Sequence, residues 1–196
     1  FELVMKTAMK GYYEFMEGKP VSVHIAEIEQ PDVPLWAVWA LQQYAKETSK
    51  EDCFKKYGQF IKDVISFIQD NKHPNLKLEE NGLLYTDGKD KAVTWMNSTA
   101  NGRPVVPRTG YIVEFNALWY NALCFCASLA ATVGEEDSQQ KLLAQAEQTK
   151  QAFLDTFLNE YGYLYDYVDG NMMDWSVRPN MIFAVAFDYS PLSQDQ

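Results

Sequence analysis

Long apolar runs are missing from these 196 residues. No stretch reaches the roughly 18 consecutive apolar residues that a membrane-spanning helix requires, so no bilayer partner is expected. Basic charge is also short: 17 Lys plus Arg stand against 27 Asp plus Glu, a formal charge of -10. Phosphate backbones and anionic membrane surfaces are held by cationic faces, which argues against nucleic acid and for a neutral or cationic ligand. Cysteine is scarce, and the three present, Cys53, Cys124 and Cys126, form an odd set. A Cys-x-Cys spacing in a helix-like run points its side chains apart, so all three read as reduced core thiols. The two histidines, His24 and His73, have no Cys or His partner at ligand spacing, so no metal is expected. Gly-x-Gly-x-x-Gly, the phosphate-cradling P-loop and Gly-x-Ser-x-Gly are all absent, which removes the sequence signals for dinucleotide binding, nucleotide hydrolysis and serine hydrolases. The N-terminus lacks the basic region and small-residue cleavage site of a secretory signal, and the expected location is the cytoplasm. The chain opens on Phe-Glu-Leu-Val-Met, and residues 1–196 are read as part of a single, incomplete domain.

What is present is helical periodicity. Apolar residues recur at 3.6 spacing from Leu35 to Glu47, with Asp32 and Pro34 as cap and first-turn signals, and again from Asp52 to Asp70. The pattern predicts further helices over Glu114–Ala131, Ser138–Leu158 and Pro179–Phe187, and one over the first sixteen residues. Asp52–Asp70 and Ser138–Leu158 are amphipathic, whereas Leu35–Tyr44 and Ala117–Ala131 are apolar nearly all round. Such alternation suits outer and inner layers of an α/α barrel, with a plain helical bundle as the alternative. Between the helices, residues 72–111 and 159–178 are long, polar and aromatic, as functional loops are. Glu79–Thr86 reads as a turn at Asn81-Gly82 followed by a short strand. Tyr161–Val168 alternates and ends at the Asp169-Gly170 turn pair; both are expected as short strands or extended loops at the barrel mouth.

The densest chemistry lies in Thr94–Leu123, TWMNSTANGRPVVPRTGYIVEFNALWYNAL, with two Trp, two Tyr, two Arg, one Glu and four Asn. Aromatic rings stack on the C–H faces of a pyranose, and amides, carboxylates and guanidinium groups reach its hydroxyls. Across the whole chain the carboxylate set is Asp32, Asp87, Glu114, Asp166, Asp169 and Asp174, among Trp36, Trp95, Trp119, Trp175 and several Tyr. Two carboxyl groups serve an inverting glycosidase as acid and base. Each residue has a plainer reading. Trp36, Trp119 and Tyr120 lie on apolar helices and fit a core; Asp32 fits an N-cap; Arg178 fits a loop end. Glu114, flanked by Ile112, Val113, Phe115 and Leu118, needs a partner or a ligand if buried, or caps its helix.

Several ordered elements resemble the glucosidase domain of bacterial-type glycogen debranching enzymes. Asp32-Val-Pro-Leu-Trp36 is similar to that family's DAxLW, Asn81-Gly-Leu-Leu-Tyr85 to its DGLLY, and Thr94–Leu123 to its TWMD, TPR and VEINALWYNAL series. Tyr163–Gly170 is similar to GYLYDVVDG, and Ser176–Ala184 to SIRPNQIFA. The resemblance implies an all-α (α/α)6 toroid of the six-hairpin kind, with β-hairpin-like loops at its mouth. It implies glycogen catabolism by hydrolysis of α-1,6-linked glucose with inversion, no cofactor, and a branched α-glucan as partner. It places Asn97 where the family has its general acid, with Asp87 and Glu114 as the nearest substitutes. It assigns Asp32, Trp36, Trp95, Arg108, Asn116, Tyr120, Arg178 and Asn180 to substrate. Two departures stand out: Asn97 replaces an Asp and Met181 replaces a Gln. The family's base lies beyond its RPNQ element, so a non-catalytic glucan-binding module is the alternative, and a dimer of the incomplete barrel is expected from exposed apolar surface.

Overall fold

The computed structural model describes residues 30–196. The helix expected over the first sixteen residues, and His24, lie outside them. Two helices open the described chain, α1 (Val33–Glu47) and α2 (Lys50–Gln69). Strands β1 (Lys77–Leu78), β2 (Leu84–Thr86), β3 (Thr99–Ala100), β4 (Arg103–Pro104) and β5 (Gly110–Ile112) follow. Then come α3 (Val113–Thr132), α4 (Glu136–Phe157), β6 (Tyr167–Asp169), β7 (Met172–Met173) and α5 (Asn180–Ala186).

Local chemistry explains the helix starts and faces. Ser49 caps α2 by accepting from the Asp52 backbone N–H at 3.0 Å, with Glu51 and Asp52 acidic in the first turn where the helix dipole favours them. Cys53, Ile61, Val64, Ile65 and Ile68 then repeat at helical spacing on the buried face. In α4 the buried positions Ala146, Thr149, Phe153 and Phe157 step by three and four along one stripe. Helix α3 is buried on nearly every side. It lies centrally against α1, α2, α4 and α5, and its Phe115, Trp119 and Phe125 are among the largest fully buried side chains. Each such side chain contributes roughly 1.5–3 kcal/mol through burial, so α3 organises the core. All three cysteines are buried and unpaired.

The five expected helices between residues 33 and 187 are thus present. Among the described residues they pack around α3 without closing a ring, so the observed architecture is a helical layer against a sheet. That sheet differs from the expectation of separate hairpin-like loops. It has five strands in the order β1-β2-β5-β6-β7, all antiparallel, with β3 and β4 as a separate pair. Strand β5 joins the two segments that the sequence suggested separately, pairing Tyr111 with Tyr85 on one side and with Val168 on the other. Chain entry into α3 is direct: Ile112 is both the last residue of β5 and the N-cap of the helix. This junction carries Arg108 and Glu114 to the same place.

Candidate active site

Arg108 is 2% exposed and sits between two carboxylates. Its Nε donates to Asp166 Oδ2 at 2.7 Å and its Nη2 to Asp166 Oδ1 at 2.9 Å. Nη2 also donates to Glu114 Oε2 at 2.6 Å, while Nη1 donates to Glu114 Oε1. A planar guanidinium with a fixed fork of donors suits this double two-point grip, which lysine could not make. Asp166 in turn accepts from Arg178 Nη1 at 2.8 Å and from Asn180 Nδ2 at 2.7 Å. Arg178 reaches Asp174 Oδ2 at 3.1 Å, and Asn180 Oδ1 accepts from the Trp95 indole at 3.1 Å. One continuous network therefore joins the start of α3, the β6–β7 hairpin, the start of α5 and the Trp95 loop.

The sequence positions these groups by close backbone approach. Gly88 passes the Arg108 carbonyl so tightly that a Cβ there would lie 1.8 Å from the oxygen. Gly110 has φ +87, and its Cβ would meet the Val168 carbonyl at 2.2 Å. Only glycine fits both constraints, conformational and steric.

Electrostatics follow from burial and pairing. Burial raises the Glu114 carboxyl above the ordinary glutamate range, with the Arg108 bonds offsetting part of the rise. Burial opposes the charge on Arg108, yet the bonds it donates to Glu114 and the fields of Glu114 and Asp166 outweigh it and raise its pKa. Asp174 is held below the usual carboxylate range: burial opposes its charge, but hydrogen bonds from Ser176 and Arg178 prevail.

Asp32 stands at the edge of this network. It is 2% exposed and stands at the N-cap position of α1, but its side chain makes no capping bond; its Oδ2 accepts from the Trp36 indole at 3.1 Å, and its Oδ1 is buried without a hydrogen-bond partner. Burial pushes the carboxyl up to about 7, the Trp36 bond works against that rise, and the Glu114 charge adds to it. The Trp95 backbone N–H also bears on the carboxyl, and a buried carboxyl of this kind can donate to or accept from a hydroxyl. Trp36 packs edge-on against Trp39, Phe183 and Phe187, and Trp95 against Phe183, so an aromatic wall flanks the polar groups.

Of the residues suggested by the sequence, Asp32, Trp36, Trp95, Arg108, Glu114, Arg178 and Asn180 are brought together. Asn97 lies two residues beyond Trp95, exposed, ahead of β3. Asp87 is exposed in a turn, where its carboxylate accepts from the Lys89 backbone N–H at 3.1 Å. Asn116 is buried and fully used in joining α3 to β2: Oδ1 accepts from Leu84 N at 2.7 Å, and Nδ2 donates to the Leu84 and Ile112 carbonyls. Tyr120 is half-buried beside Cys124 and within the field of Glu147 on α4, and burial raises its hydroxyl pKa. Glu114 makes no side-chain cap; it is Arg108's counter-ion. Arg178 does more than end a loop, since it bridges Asp166 and Asp174.

Asp166 is the hub, and sequence reasoning counted it only as one carboxylate among six. Its signal was the Asp inside the alternation Tyr161–Val168, where an inward charge demands a partner. Among the described residues no three His, Cys, Asp or Glu side chains are grouped to hold a metal ion, and no helix is long and apolar enough to cross a membrane.

Comparison with known proteins bears on what such a cluster serves. No curated protein matches the chain. A family profile described as amylo-alpha-1,6-glucosidase matches residues 24–196, a span that contains every residue of the network, and the chain therefore belongs to the amylo-alpha-1,6-glucosidase family.

Proposed function

We propose that this chain is a debranching-type glucosidase domain that binds a terminal glucose of a branched α-glucan and hydrolyses its α-1,6 bond with inversion. The observation that carries this reading is the convergence of Asp32, Trp95, Arg178 and Asn180 on the Arg108–Glu114–Asp166 core, within the family match. In this reading Arg108, Glu114 and Asp166 form the rigid base of the site. Asp32, partly protonated near neutral pH, serves a sugar hydroxyl as donor or acceptor. Trp95, 47% exposed, offers its ring to a pyranose face. Inversion requires a second carboxyl group roughly 6.5–9.5 Å from the first, with water between them.

One observation favours the non-catalytic alternative. A carboxamide at position 97 has no proton of useful acidity, and Glu114 has both oxygens held by Arg108. Glucose release from a branched limit dextrin separates the two readings. Release by the wild-type chain supports the enzyme. Binding of maltooligosaccharides without release, together with activity gained in Asn97→Asp, supports a glucan-binding module that lacks its acid. Absence of both binding and release refutes both readings.

A further inference from the structure

The hairpin that supplies Asp166 and Asp174 also carries an aromatic group outside the polar network. Trp175 is 44% exposed and Tyr161 72% exposed. The Trp175 ring meets Tyr165 at 4.7 Å between centroids, Tyr161 at 6.1 Å and Tyr163 at 6.4 Å, each in an edge-to-face arrangement. We propose that Trp175 and its three tyrosines form a stacking platform for a segment of α-glucan chain outside the innermost glucose subsite. The proposal rests on the glucan reading above and adds a site to it.

Three features support the assignment. First, single exposed aromatics are ordinary, but here two exposed rings, Trp175 and Tyr161, meet each other over the half-buried Tyr163 and Tyr165 and forgo the burial that makes aromatics valuable in a core. Second, the platform is held in shape before any ligand arrives. Asn159 Oδ1 accepts from the Tyr161 and Tyr163 backbone N–H groups at 2.9 and 3.3 Å, and Gly162 N donates to the Asn159 carbonyl at 3.0 Å. The Tyr165 N–H is bonded to the Phe157 carbonyl at 2.9 Å, and the Ser176 N–H to Asp174 Oδ1 at 2.7 Å. A backbone held in place leaves only side-chain freedom to be lost on binding. Third, the chemistry fits a neutral polymer with C–H faces and hydroxyl edges: the four rings are uncharged, and three carry a phenolic hydroxyl able to donate and accept. Tyr165 and Trp175 directly adjoin Asp166 and Asp174 in sequence. Successive residues of an extended segment face opposite ways, so one hairpin can serve the polar network and the platform together.

Titration calorimetry with maltose and maltoheptaose tests this on the wild type, Trp175→Ala, Trp175→Phe and Tyr161→Ala. Trp175→Ala is expected to weaken maltoheptaose binding by about tenfold, the upper range for one aromatic contact, while maltose binding stays within about twofold. Trp175→Phe keeps a ring and should retain most of the affinity. Tyr161→Ala, at an open position, should lower the maltoheptaose-to-maltose preference even if Trp175→Ala fails to fold. An unchanged preference, or an equal loss for both sugars, overturns the platform and leaves the glucan reading standing. Wild type that binds neither sugar overturns both. A change confined to sedimentation behaviour assigns the rings to self-association and overturns the platform.

Discussion

The polar network around Asp166 and the ring group around Trp175 are built from the same hairpin, yet they treat their side chains in opposite ways. In the network every side-chain nitrogen and oxygen of Arg108, Glu114 and Asp166 has a partner. In the ring group the backbone is matched, and the Trp175 and Tyr161 side chains are left open. Burial makes a polar group a reliable positioner, because leaving it unmatched is costly; exposure makes a side chain available to a ligand. Asp32 combines the two conditions, being buried with one oxygen unmatched.

The sharpest way to break this contrast is Arg108→Met. It strands Glu114 as a buried charge and leaves Asp166 held by Arg178 and Asn180 alone, and removing one partner of a buried ion pair costs about 3–5 kcal/mol. Urea unfolding at neutral pH should show that loss. A loss below about 1 kcal/mol would mean that the network does not hold the hairpin to α3.

A somewhat smaller effect is expected at Asp32, and it depends on pH. The folded carboxyl binds its proton up to about pH 7, and the unfolded one only up to about 3.8. Between these values the folded state holds more protons than the unfolded state, so this group lowers stability as pH rises through the window. Asp32→Asn removes that term. Relative to wild type it should be little changed near pH 3.5 and stabilised by on the order of 2–4 kcal/mol above pH 7. Thermal melts across pH 3.5–8 check this; parallel curves for the two proteins would show that Asp32 ionises normally.

The smallest effect sharpens the other side of the comparison. Tyr161→Ala removes a ring whose neighbours remain packed, and surface substitutions of this kind change stability by about 0.5 kcal/mol or less. A melting temperature that falls as far as that of Arg108→Met would place Tyr161 among the structural residues and erase the distinction.

Legibility from sequence divides along physical lines. Helices α1 to α4 each run for fifteen residues or more, long enough for 3.6-residue periodicity to repeat several times. The sheet strands are two or three residues long; β2 and the start of β6 fall in the segments that the sequence marks as short strands, Glu79–Thr86 and Tyr161–Val168, but β5 is too short for alternation to declare itself. Strand β5 therefore remained hidden inside a segment that reads as loop. Glu114 illustrates both sides: its apolar neighbours signalled a need for a partner, but the partner, Arg108, is six residues away at a spacing that neither helix nor strand brings together. Asp166 lies 58 residues further from Arg108 along the chain. Asn116 and Tyr120 share the motif that carries Glu114, yet helical rotation turns both away from it, Asn116 to β2 and, one turn further on, Tyr120 toward α4.

By itself the amino-acid order determined the helices, the acidic surface, the reduced thiols and, through its ordered motifs, the family, because each is written in local composition and spacing. Only the tertiary structure decided which carboxylates are held by arginine, which one keeps its proton, and which aromatics stay open. Those properties depend on burial and on contacts between residues remote in sequence, and a residue's own type carries neither.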